Sequence, residues 1–131
     1  MNASLAKAAM SLIGVPFRLH GRNPQTGLDC VGVVAAAMQR AGYDPVVPQG
    51  YSLRALTIGP LLEFASASGL EEVAEQGDVW LAQVHSLQPH LLIAAQGGAV
   101  HAHAGLGRVA FLPDPATWPI VMRWRLAAKR I

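Results

Sequence analysis

The spacing of apolar residues divides the chain in two. In the first half they recur at helical intervals: Leu5, Ala8, Ala9, Leu12 and Ile13 share one face of a helix that Ser4 can cap and that Gly14 and Pro16 end. Phe17 to Gly27 reads as a loop, punctuated by Gly21, Asn23-Pro24 and Gly27. Behind it, Asp29 can cap a second helix from Cys30 to about Arg40, with Val33, Val34, Ala37 and Met38 inward and Gly42 as its stop. Tyr43 to Gly50 carries Pro45 and Pro48 and is expected to be irregular. A third helix is expected from about Ser52 to Ala67, perturbed at Gly59-Pro60.

The second half changes period. Short runs rich in Val, Leu, Ile and Trp, separated by Gly and Pro, predict strands near Asp78–Val84, His90–Gln96, Ala99–Ala104, Arg108–Leu112 and Val121–Leu126. Helices followed by strands, with linkers too short for parallel crossovers, imply an α+β fold. Its N-terminal helices should pack on a C-terminal antiparallel sheet of about five strands. Gln96-Gly97-Gly98 marks a hairpin. With Gln96-Gly97 as the turn, His103 lies opposite His90 and His101 one diagonal step away, on the same face. A Gly97-Gly98 turn would move both further from His90 without changing the face.

Composition sharpens this picture. With 52% hydrophobic and 14% charged residues, the chain is expected to form one compact domain over residues 1–131. A net charge of +2 suits an anionic polymer but is too small to imply nucleic acid, and no basic stripe or aromatic RNA-binding motif is present. Residues Met1 to Lys7 lack the basic and apolar regions of a secretory leader. The run from Leu5 to Val15, broken by Lys7 and Ser11, is too short to span a membrane. Synthesis and folding are therefore expected in the cytoplasm, with no membrane partner; a substrate outside would require delivery by other machinery.

The chemistry centres on one residue. The chain holds a single cysteine, Cys30, at the expected start of the second helix. Helix N-termini carry unpaired N–H groups and partial positive charge, which favour a thiolate. Histidines occur downstream at His85, His90, His101 and His103. One cysteine with histidines distant in sequence is the arrangement of a thiol hydrolase. A lone cysteine is more often a small buried hydrophobe; a first-turn position after an acidic cap argues against that for Cys30. His90 is the polar residue in the apolar run His90-Leu91-Leu92-Ile93-Ala94-Ala95, and a thiol across a cleft would give it a partner. Either His101 or His103 can orient its ring as a third member. His101-Ala102-His103 could also hold a metal, but the spacing fits no standard zinc pattern, and no metal or cofactor is expected. His20 reads as a surface or groove residue and His85 as a solvated loop residue. Trp80, Trp118 and Trp124 most simply pack the sheet.

At these residues the chain resembles a known family. Gly14-Val15-Pro16-Phe17 through Gly27-Leu28-Asp29-Cys30-Val31-Gly32-Val33-Val34 is similar to the Cys signature of the NlpC family of cysteine peptidases. Gly77-Asp78-Val79, His90-Leu91-Leu92-Ile93 and Val100-His101-Ala102 resemble its later segments, in the same order along most of the chain. The short form with Asp-Cys-Val-Gly looks most like the phage-tail and gene-transfer-agent type. The resemblance implies a papain-like α+β fold and hydrolysis of peptide bonds in peptidoglycan stem peptides, with phage-tail-like proteins as further partners. It implies Cys30 as nucleophile, His90 as general base and acid, and His101 rather than His103 as orienting residue, a bulge or longer turn shifting the hairpin register. Asp29, with the positions of Phe17 and Val31, would bind substrate, and His103 would border the same groove. Phe17 and Val31 depart from the family's Tyr and Ser, so the substrate end recognised is expected to differ. A non-catalytic tail adaptor and a thiol acyltransferase on the same fold are the rival expectations.

Overall fold

The computed structural model describes residues 2–47, 58–85, 88–113 and 118–127. Among the described residues three helices, α1 (Ala3–Met10), α2 (Cys30–Arg40) and α3 (Ile58–Ala67), precede most of the strands. A two-stranded ribbon, β1 (Arg22–Asn23) with β2 (Gly27–Leu28), lies inside the expected loop. The main sheet has six strands: β3 (Leu70–Val73), β4 (Val79–His85), β5 (Gln88–Ala95), β6 (Gly98–His103), β7 (Arg108–Pro113) and β8 (Ile120–Leu126). Their order is β3-β8-β4-β5-β6-β7, antiparallel throughout. The expected α+β layering therefore holds, with one strand more than expected. Strand β3, Leu-Glu-Glu-Val, is short and shows a poor apolar alternation; it exists because β8 pairs with it, Leu70 opposite Leu126.

Tertiary ties also move the first helix boundary. Asn2, not Ser4, caps α1, its side chain accepting from the Leu5 N–H at 3.0 Å. Asn2 is held there by the buried Asp78 carboxylate, which accepts from its N–H and from that of Leu126. Helix α3 is described over Ile58–Ala67, and Pro60 lies within it. The expected helical residues 52–57 lie outside the described residues. No helix among the described residues is long and apolar enough to cross a membrane.

The sheet has two unlike faces. Leu91, Ile93, Val100, Ala102 and Val109 join Leu5, Leu12, Val31, Val34 and Met38 in the core beneath the helices. The alternate positions Ala82, Leu92 and Ala99 are buried on the other face with Trp80, Leu112, Trp118 and Ile120 around them. Helix α2 is buried from Cys30 through Met38, an all-apolar rod clamped between α1 and the sheet.

Candidate active site

The start of α2 is tightly held by the loop before it. Asp29 caps it, one carboxylate oxygen accepting from the Gly32 N–H at 2.8 Å and from the Arg22 guanidinium at 2.9 Å. The other oxygen accepts from the His20 N–H at 2.9 Å. Asp29 is wholly buried, so its charge is met by its own chain, with Arg22 supplying the opposite sign. Glycines let the loop close this tightly: a Cβ on Gly32 would come within 2.1 Å of the Gly21 carbonyl oxygen, and one on Gly21 within 2.1 Å of that of Gly27.

Cys30, in the first turn, is 3% exposed. Its sulfur lies against the N–H groups of Val31 and Leu91. The second contact follows from strand geometry. Ala94 donates to the Asp78 carbonyl at 2.9 Å, so along β5 the even-numbered N–H groups point to β4 and the odd-numbered ones to β6. The β5–β6 ladder runs from Ala95↔Gly98 to Ile93↔Val100 and stops. Leu91 is the next odd position; its N–H, left without a strand acceptor, finds the thiol instead. Cys30 thus sits at the fork where two strands part.

The electrostatics overturn one expectation. The thiol is not acidified by its helix terminus: burial pushes it up to about 12, with the Asp29 carboxylate adding to the rise. The two N–H groups and Arg22 pull it down by less. Desolvation of the sulfur and the Asp29 charge outweigh the two N–H groups and Arg22, and the resting group is a neutral thiol.

Beside the fork, His90 Nε2 and His101 Nδ1 share a hydrogen bond of 2.9 Å. The hairpin turn is Gln96-Gly97, with Gly97 at a φ of 83°; no bulge or longer turn intervenes. Extending that register places His103 opposite His90, as the turn predicts, yet His101 makes the bond across the diagonal. His103 is occupied elsewhere, its Nδ1 accepting from the Leu106 N–H at 3.0 Å. Burial lowers His90 to about 3 and His101 to about 4, and neighbouring imidazoles add to both shifts. Both rings are therefore neutral at rest. Neither makes a hydrogen bond to the thiol among the described residues, so no thiolate–imidazolium pair is formed in this arrangement.

The remaining candidates fall around this centre. Val31 is fully buried in the core, and its N–H lies against the thiol. Phe17 is half-buried, packed on the core and donating its N–H to the Gly107 carbonyl at 2.8 Å. Trp118 is a site neighbour that the sequence pattern does not single out. Its ring stands edge-on to His90 and His101, with centroids 6.0 and 5.5 Å away. No group of three or more His, Cys, Asp or Glu side chains among the described residues is arranged to hold a metal.

A thiol at a helix start, packed against an antiparallel sheet that presents a paired imidazole, defines the papain-like α+β class. Within that class the fold is the NlpC/P60 fold, as solved structures show. Over 93% of its length the chain superposes on NlpC1 from Trichomonas vaginalis with a TM-score of 0.65 at 16% identity, spanning 42% of that protein. It covers 90% of itself and 94% of the NlpC/p60 domain of the peptidoglycan hydrolase SagA, with a TM-score of 0.58 at 23% identity. An NLP/P60-family lipoprotein-like protein from Staphylococcus aureus gives 0.61 at 17% identity, over 94% of this chain and 40% of that one. The chain thus spans well under half of two of these proteins. Compared as a sequence, it matches no family model and no curated protein.

Proposed function

We propose that this chain is a cysteine endopeptidase that cleaves peptide bonds in the stem peptides of bacterial peptidoglycan. The observation that carries the reading is the 2.9 Å bond between His90 Nε2 and His101 Nδ1, made next to a sulfur that rests on the N–H of Leu91. If His90 Nε2 donates to His101, His90 Nδ1 keeps a lone pair for the thiol proton. Cys30 Sγ attacks the amide carbon while its proton passes to His90. The C–N bond then breaks, with that proton going to the leaving amine, and a thioester remains. Water, deprotonated by His90, attacks the thioester and restores the thiol. The Cys30 N–H, at the positive end of α2, is placed to help hold the oxyanion. Because the resting thiol is neutral, proton transfer must accompany attack or follow a local opening that admits substrate.

The fold likeness to a peptidoglycan hydrolase supports the choice of substrate. Delivery to the wall by a phage-tail-like particle, after synthesis in the cytoplasm, belongs to the same proposal and rests on the sequence resemblance. A tail adaptor that keeps the fold without turnover is the second reading, and the thiol pushed up to about 12 favours it. Digestion of purified muropeptides, followed by mass spectrometry, separates the two. New amine and carboxyl termini with wild type and none with Cys30→Ala support the peptidase. No cleavage by wild type, or equal cleavage by both, rejects it.

A further inference from the structure

We infer that Trp118 is a positioning residue that holds the His90 ring in the orientation and tautomer needed to face the thiol. The inference rests on the peptidase reading for its consequence in turnover, but its geometry stands alone. Two imidazoles joined by one hydrogen bond have a remaining freedom: each ring can rotate or flip about its bond to Cβ, and the proton on the shared bond can sit on either nitrogen. Something must remove that freedom if His90 Nδ1 is to stay aimed at a reacting group. His101 is held by its surroundings, at 2% exposure within β6. His90 lies where the β5–β6 ladder has already ended, so β6 reaches it through the single His101 side-chain bond and not through backbone pairing.

Trp118 meets both rings at steep angles, 81° to His90 and 76° to His101, with centroids 6.0 and 5.5 Å away. Edge-to-face contact of this kind orients aromatic rings as well as covering them. The indole belongs to the small apolar cluster of Ala82, Leu92 and Ala99, so it is anchored to the same sheet face that carries the histidines. It joins the start of β8 to β5 and β6, closing the pair on the side away from α2. The ring also keeps water off His90, in keeping with the burial that holds this imidazole well below its ordinary range.

The test uses Trp118→Phe, Trp118→Leu and Trp118→Ala in the full chain, with the ring nitrogens of His90 followed by nitrogen-15 NMR across pH. The wild type and Trp118→Phe are expected to show one tautomer and the same low titration. Trp118→Leu keeps apolar bulk without an aromatic edge, and averaged tautomer shifts are expected from it. In Trp118→Ala water reaches the pair, and the His90 midpoint should rise by about one pH unit or more. If Trp118→Ala does not fold, the Phe and Leu variants decide. A single wild-type tautomer in Trp118→Leu overturns the inference, because apolar bulk alone would then suffice. In muropeptide digestion the same Leu variant should lose kcat with KM nearly unchanged, and Phe should restore it. Absence of hydrolysis by wild type would reject the peptidase reading, while the NMR comparison would still decide the role of Trp118.

Discussion

His90 and His101 are hydrogen-bonded at 2.9 Å although the hairpin register sets His103, not His101, opposite His90. The bond crosses the diagonal because the strands have already parted there, and His103 is held by the turn that follows it. Under the peptidase reading, His90→Ala should lower turnover by roughly 10²–10⁴-fold, the usual worth of a general acid–base group. His101→Ala should lower it less, His101→Asn less again, and His103→Ala least of the three. Initial rates on a defined muropeptide rank the four variants; a larger loss from His103→Ala than from His101→Ala would contradict the assignment.

The acid side of the stability profile should report the His90 and His101 imidazoles. Unfolded histidines take up protons below about 6.5, whereas His90 and His101 resist down to about 3 and about 4. Between those limits the unfolded state binds more protons, so stability is expected to fall as pH drops below about 6.5. Urea midpoints measured from pH 7 to pH 4 check this, and His90→Phe should flatten part of the slope.

The alkaline side should report the thiol. In the unfolded chain Cys30 ionises near its ordinary 9.0, while burial holds it to about 12 in the fold. The unfolded state then binds fewer protons above about 9, and stability falls as pH rises through that range. Cys30→Ala should remove this part of the decline. Denaturation midpoints of wild type and variant, compared at rising pH, give the difference directly.

Asp29 and Arg22 push the thiol in opposite directions. Asp29→Asn keeps an oxygen for the Gly32 N–H and removes the charge, so the thiol should titrate lower. Arg22→Gln should make it titrate higher. Because the chain has a single cysteine, thiolate ultraviolet absorbance, taken as the difference from the same background carrying Cys30→Ala to remove the tyrosine signal, reads both shifts. Movement of both variants in one direction would show that burial changes, not charge, dominate.

Gly32→Ala tests the closeness of the loop to the helix start. Its Cβ would meet the Gly21 carbonyl oxygen at 2.1 Å, too near for any rotamer adjustment to relieve. A loss of about 1–3 kcal/mol in urea unfolding is expected, as for overpacked cores. Asp29 would lose its bond to the displaced Gly32 N–H at the same time.

Much of this architecture was legible from residue pattern. Helical spacing located α1 and α2, alternation and turn residues located β4 to β8 within two residues, and Gln96-Gly97 gave the hairpin register. What escaped depends on distant partners. Asn2 became the cap because Asp78 and Leu126 fix it. Leu70–Val73 became a strand because β8 offered an edge. The cysteine's chemical setting was misjudged for a related reason: helix polarity is local and readable, but desolvation depends on everything packed around the sulfur. Trp118 was expected to pack the sheet, and it does, but its place beside the imidazoles depends on tertiary packing that the pattern does not show.

Under the peptidase reading, the fork at Leu91 ties bond-making to backbone recognition. Once the sulfur carries an acyl group it no longer serves that amide hydrogen as a full acceptor, and a donor normally consumed by sheet pairing is released beside the newly formed thioester. An extended chain lying along β5 would present carbonyl oxygens at the matching repeat. Selection at this cleft would then depend on whether a ligand can lie straight as much as on which side chains it carries.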